Sequence, residues 1–194
     1  MITLNRRRVM GGSMPYDTEI EYLESTGTQY IDTGIYPSET LPFDVVFYSY
    51  GNTAEYGYGN VFAARQSAQR SEYQVTTYNN GVVGIGLLRN LRTMALNTIN
   101  HVIFDGATTL SVNGTISTIA KTAIDQFYNI YLYGINQNGV ATQLSKTRIY
   151  SCTFGNVRDF IPVRVGNVGY MYDKVSKQLF GNSGTGNFIL GGDV

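Results

Sequence analysis

Apolar residues recur at every second position along most of the chain. Runs of Val, Ile, Thr, Tyr and Phe are separated by Gly, Asn and Asp, a pattern that predicts short half-buried strands. The predicted strands are Glu19–Leu23, Gln29–Asp32, Phe43–Tyr50, Asn60–Ala64, Glu72–Tyr78, Val82–Leu88 and Asn100–Asp105. They continue with Thr109–Val112, Thr115–Ile119, Tyr128–Gly134, Ser145–Phe154, Asp159–Val165, Gly169–Tyr172, Gln178–Phe180 and Phe188–Leu190. No window of about 12 residues keeps a clean 3.6-residue apolar period. The best helical candidate, Asn60 to Arg70, is broken by polar residues and followed by a strand.

Turn chemistry joins these strands. Asn113-Gly114 takes the positive φ that a type I′ hairpin turn needs at both central positions. Asn80-Gly81, Asn138-Gly139 and Gly166-Asn167 mark further reversals. Many short strands at close spacing predict an all-β, two-sheet antiparallel β-sandwich rather than alternating βα units. Gly27 and Gly34 bracket one strand. In Arg158–Val165, Phe160, Pro162 and Arg164 alternate with Ile161, Val163 and Val165, which predicts that the aliphatic residues share one face. Pro162 cannot donate to a ladder, so this strand is expected at an edge or with a bulge. Gly181–Gly186 reads as a side-chain-poor crossover before the last strand.

A boundary is expected near Ser13–Asp17. Residues 1–17 read as an extended N-terminal arm, either a docking segment or a disordered tail, and 18–194 as the sandwich. The arm carries Arg6, Arg7 and Arg8, which suit docking on an acidic or carbonyl-rich groove of a partner. No apolar stretch follows these arginines, so the segment does not read as a secretory signal.

Composition sharpens the picture. The 194 residues hold 14 basic and 14 acidic side chains, so no global charge draws the chain to nucleic acid or to anionic membrane. Charged residues make up 14%, against about 25% in an average domain. Sixteen Tyr and no Trp leave tyrosine to supply aromatic contact surface. Cys152 is the single cysteine, so no intrachain disulfide forms, and its strand setting predicts a buried, inert thiol. No run reaches the roughly 18 apolar residues of a membrane span.

Two passages carry more than generic strand pattern. One is Ile20-Glu-Tyr-Leu-Glu-Ser-Thr-Gly-Thr-Gln-Tyr-Ile-Asp-Thr-Gly34. The other comprises Arg148-Ile-Tyr-Ser-Cys152, Arg158-Asp-Phe-Ile-Pro-Val-Arg164, Gly169-Tyr-Met-Tyr-Asp-Lys174 and Gln178-Leu-Phe-Gly-Asn-Ser-Gly-Thr-Gly-Asn-Phe188. Together they resemble a recurrent domain of gut-bacterial phage structural proteins and some bacterial surface proteins. That domain is similar to the concanavalin A-like lectin/glucanase (laminin-G-like) jelly roll. The resemblance covers about a third of the chain, at both ends of the domain, and its motifs mark framework rather than a known active site. The leader Met1-Ile-Thr-Leu-Asn-Arg-Arg-Arg8 resembles the start of phage virion proteins. The resemblance implies a virion structural protein, as a capsid decoration, head fibre or tail-associated domain. Its implied partners are other virion proteins through the arm, and host surface glycans. An oligomer, taken as a homotrimer, would hide edge strands. The implied location is the particle surface, or otherwise an extracellular or cell-surface site.

Candidate chemistry is sparse. Glu19, Glu21 and Glu24 resemble the Glu-x-Asp-x-x-Glu signature of glucanases with this fold. Two carboxyls about 5–5.5 Å apart are what a retaining glycosidase needs. Here the central Asp is Glu, and Glu24 would share the face of Glu19 and Glu21 only through a bulge, so the triplet is expected to be an exposed edge-strand face. His101 is the only histidine and lacks a Gly-x-Ser-x-Gly elbow or His-x-x-x-His spacing, so it is expected to be structural or exposed. Gly57-Tyr58-Gly59-Asn60 and Gly81–Gly86 are Gly-rich, but no strand precedes and no helix follows them, and they read as turns. No catalytic residue, metal ligand set or cofactor site is expected. Tyr48, Tyr50, Tyr56 and Tyr58 cluster with Asn52, Asn60 and Glu55, and the four tyrosines with Asn52 are the candidate glycan-binding residues. Their rings stack on sugar faces, and Asn binds hydroxyls.

Overall fold

A computed structural model of the chain describes residues 14–51, 53–66, 73–77, 82–85, 88–91, 94–120 and 128–194. Every regular element among them is a strand. In chain order they are β1 (Thr18–Glu19), β2 (Leu23–Thr26), β3 (Ile31–Asp32), β4 (Phe43–Ser49), β5 (Gly59–Arg65), β6 (Tyr73–Thr77), β7 (Val82–Ile85) and β8 (Leu88–Leu91). There follow β9 (Thr98–Phe104), β10 (Thr109–Val112), β11 (Thr115–Thr118), β12 (Tyr131–Leu132), β13 (Ile135–Gln137) and β14 (Val140–Thr142). The last are β15 (Lys146–Phe154), β16 (Arg158–Val165), β17 (Val168–Asp173), β18 (Gln178–Phe180) and β19 (Ile189–Leu190). Arg6, Arg7, Arg8, Asn52 and the Asn80-Gly81 turn lie outside the described residues.

The strands form the two layers of a β-sandwich. One sheet runs β11-β10-β9-β4-β15-β16-β17-β18, and the other β14-β13-β5-β6-β7-β8. All pairs are antiparallel except β13, which lies parallel to β5. The fully antiparallel expectation is corrected there. The chain reverses at Tyr133, whose φ is +66°, so β12 runs against β5 and β13 runs along it. That left-handed residue also cuts short the expected Tyr128–Gly134 strand.

Alternation decides what each strand buries. Phe43, Val45 and Phe47 of β4 and Ile149, Cys152 and Phe154 of β15 point between the layers. They meet Phe62 of β5 and Tyr73 of β6. Phe62 makes edge-on ring contacts with Phe43 at 5.1 Å and Phe154 at 5.0 Å. Such pairs add to the area they remove from water. Cys152 is fully buried, and burial pushes its thiol well up, as an inert core residue requires. The Asn60–Arg70 helix candidate is strand β5 over Gly59–Arg65, buried along its whole length.

β15 and β16 pair only beside their turn, from Phe154↔Arg158 to Cys152↔Phe160, and then splay. The N-terminal segment fills the fork. β1 pairs with β16, β2 pairs with β15, and β19 adds to β2. Pro162 sits at the fork. Its carbonyl accepts the Ile20 amide at 3.1 Å, so its nitrogen faces the gap where one neighbour gives way to the next. The strand is neither an edge nor bulged at Pro162; instead the β1–β16 pairing ends at Glu19↔Val163, one residue short of the proline whose missing donor faces that side. The strand buries residues on both of its faces: Phe160 and Pro162 on one and Val163 on the other, whereas Ile161 is half-buried and Val165 exposed.

The two framework passages meet in space. The buried Gln29 carboxamide bonds Ser25, Thr26 and Thr28 and donates to the Asn187 carbonyl at 3.1 Å. Asn182 accepts the Tyr30 amide, and Ser183 and Thr185 donate to Tyr30 and Thr28. Gly184 lies so close that a Cβ there would sit 2.2 Å from the Thr28 carbonyl oxygen. Part of the expected arm also rests on the sandwich. Tyr16 packs edge-on against Tyr172 at 4.9 Å, and Asp17 bonds Arg164 and Gly166 through its amide and carboxylate.

Candidate functional site

The outer face of the first sheet carries an aromatic shelf. On β15, Lys146 and Arg148 alternate with the inward Thr147 and Ile149. By the same alternation Tyr150 lies on the outer face too, and a register shift between Ile149 and Ser151 against β4 then turns Cys152 to the core. Tyr48 is the outward residue opposite Arg148, and Glu24 is its partner on the other side. One row therefore crosses five strands: Ile189, Glu24, Arg148, Tyr48 and Ile99.

Arg148 organises the shelf. Its guanidinium lies 4.6 Å from the Tyr22 ring centre, 5.1 Å from Tyr48 and 5.7 Å from Tyr50. Lys146 holds its ammonium 4.6 Å from Tyr50 and 4.9 Å from Tyr56. The rings also touch one another: Tyr22 with Tyr150 at 5.6 Å, Tyr48 with Tyr50 at 4.9 Å, and Tyr50 with Tyr56 at 5.1 Å. Tyr56 reaches the shelf because its loop is tied down. Thr53 and Gly57 bond each other, and the Lys146 amide donates to the Tyr56 carbonyl at 3.2 Å.

Beneath the shelf lies Glu24, only 2% exposed although it points away from the core. Arg148 Nε donates to one carboxylate oxygen, and the Tyr50 hydroxyl donates to the same oxygen at 3.2 Å. Lys146 stands 4.0 Å from the other. Burial, then the Glu24 charge, pushes the Tyr50 phenol up to about 12. Burial pulls the Arg148 guanidinium down, but the Glu24 hydrogen bond and charge outweigh it and hold the group above its ordinary value. Burial likewise raises the Tyr150 phenol, against the pull of Arg148.

The structure thus brings together Tyr48, Tyr50 and Tyr56 of the expected glycan-binding set. Tyr58, 46% exposed, makes no ring contact with them among the described residues. Tyr22, Lys146, Arg148, Tyr150 and Glu24 complete the site and were not in that set. The signal for three of them was present: Lys146, Arg148 and Tyr150 are spaced by two along one strand.

The acidic triplet is dispersed. Glu19 and Glu21 are exposed, and Glu19 accepts the Tyr16 hydroxyl at 3.1 Å. Glu24 lies on β2, which is paired on both sides, so the expected exposed edge face is corrected for this residue. His101 is on the same outer face, 2.7 Å from Asp44, with both side chains about half exposed. Gly57 takes φ +72° in a turn and β5 follows it directly. Among the described residues no group of three or more His, Cys, Asp or Glu is arranged to hold a metal ion. Among the described residues no helix is long and apolar enough to cross a membrane. No family model, curated protein or solved structure matches the chain.

Proposed function

We propose that this chain is a non-catalytic structural component of a phage particle: a capsid decoration, head-fibre or tail-associated protein. Residues 1–17 dock it on the particle, and a concanavalin A-like jelly roll is displayed outward. The observation that carries the reading is the state of Glu24. The carboxylate that a glucanase-like site would use is neutralised by Arg148 and roofed by tyrosines. Above it the sheet presents aromatic contact surface instead of reactive groups. Such Tyr- and Arg-rich faces suit wet, adaptable recognition. The framework motifs and the leader support the phage setting, and a homo-oligomer, taken as a trimer, supports the edges.

The test uses the full chain with Arg6, Arg7 and Arg8 each replaced by Glu. Purified particles assembled with it are expected to lose the protein, as read by mass spectrometry, while wild type is retained. Wild-type protein absent from particles, with a stable monomer in light scattering, would overturn the reading.

The shelf favours a second reading in which the module binds glycans, in the same particle or at a cell surface. Tyrosine rings offer stacking platforms, and their hydroxyls offer hydrogen bonds. A glycan array gives the test. Binding that Tyr48→Ala abolishes supports this reading, and a blank array dismisses it.

A further inference from the structure

At the centre of the shelf the charges do not balance, and that local imbalance points to a ligand class. Two cations, Lys146 and Arg148, share one buried carboxylate, Glu24. Arg148 is spent on that carboxylate through a direct hydrogen bond. Lys146 is not held in the same way: its contact with Glu24 is 4.0 Å, longer than a hydrogen bond, and two tyrosine rings place it. The ammonium is a point charge with three donors on a flexible stem. It stands between rings that offer flat apolar faces. Carboxylates mark the rim. Glu55 pushes the Tyr56 phenol up, chiefly by hydrogen bonding, and Glu21 acts on Tyr150. Both are exposed. An anion is therefore repelled at the rim and attracted at the middle.

Resting on the glycan reading, we infer that the shelf selects an acidic saccharide: a sugar ring stacks on the tyrosines and its carboxylate pairs with the Lys146 ammonium. Glu24 is a positioning residue. It holds Arg148 flat among Tyr22, Tyr48 and Tyr50, which fixes the platform before ligand arrives. Such a charge-assisted contact is the kind that sets orientation as well as affinity.

Calorimetric titration of the full-length protein tests this with oligogalacturonate and with the neutral galactose oligomer of the same length. Wild type is expected to bind the acidic oligomer more tightly, with affinity falling as salt rises. Lys146→Gln should weaken that binding by about tenfold, a larger loss than it causes for the neutral oligomer. Lys146→Arg should restore most of it. Circular dichroism on each variant separates lost binding from lost fold. If the two oligomers bind alike and Lys146→Gln changes nothing, the charge inference fails while the glycan reading stands. If neither oligomer binds and a broader array is blank, the glycan reading falls as well.

Discussion

Glu24 and Arg148 are register partners on β2 and β15, and their charged groups meet on the solvent side of the sheet under a roof of tyrosines. The pair behaves more like a buried than a surface one, because Glu24 is sealed even though Arg148 keeps some exposure. Removing one partner of a buried pair leaves the other uncompensated and typically costs about 3–5 kcal/mol. Screening of the partly exposed guanidinium reduces that figure here to roughly 2 kcal/mol. Glu24→Gln is expected to lower the urea midpoint accordingly. Glu24→Gln combined with Arg148→Met should cost less than the sum of the singles. Additive effects would show that the pair does not couple.

Tyr50 links the same pair to alkaline pH. Its phenol is pushed up to about 12, first by burial and then by Glu24. Burial holds Tyr73 and Tyr133 well above their ordinary value as well. Each phenol is raised above its unfolded value near 10. Its contribution is therefore fully present below pH 10 and lost as pH rises through the folded value. Absorbance at 295 nm should show a tyrosine ionisation step above pH 10 that coincides with unfolding. Tyr50→Phe should remove the Glu24 contact, worth about 1 kcal/mol, and shrink that step. A single smooth titration of all tyrosines would contradict this.

The sheets, most strands and the hairpin at Asn113-Gly114, with φ +50° and +81°, were legible from alternation and turn residues. The shelf was half legible. Tyr48 and Tyr50 stand out by spacing, but Tyr22 and Glu24 join them only because β2 fills the fork between β15 and β16, a long-range pairing that no local pattern encodes. Tyr150 follows from simple alternation, whereas Cys152 reaches the core only through the bulge after it, which shifts the alternation by one. Phe160 and Val163 show the same limit from the other side. Period two separates the two faces of β16 but does not say how far each is covered: Phe160 is buried on one and Val163 on the other.

Gly184 tests the contact between the two framework passages. It packs against the Thr28 backbone, and an added Cβ would meet the carbonyl oxygen at 2.2 Å. Neither side is a flexible side chain, so the loop must shift and strain the Gln29 network. Gly184→Ala should destabilise the fold by about 1–3 kcal/mol, read as a lower Tm. Gly114→Ala provides the comparison. Its site is open, so any cost there comes from the positive φ alone. A Gly184→Ala protein as stable as wild type would mean the two passages are not tightly joined.

Asp173 sets the acid limit. It is fully buried at the end of β17 and accepts the amides of Asp159 at 2.8 Å, Val175 at 3.1 Å and Ser176 at 3.0 Å. Burial alone would raise its carboxyl, but the hydrogen bonds from Ser176, Asp159 and Val175 outweigh burial and hold it below the usual range. A depressed folded value stabilises above the unfolded pKa near 3.9 and is lost as pH falls through the folded one. Stability measured by urea should therefore decline below about pH 4. Asp173→Asn keeps only one acceptor oxygen and turns the other position into a donor facing amide N–H groups. It should cost on the order of 2 kcal/mol at pH 7 and flatten the decline below pH 4, because the variant has no charge left there to lose. An Asn variant that keeps the wild-type acid slope would place the acid sensitivity on another carboxylate.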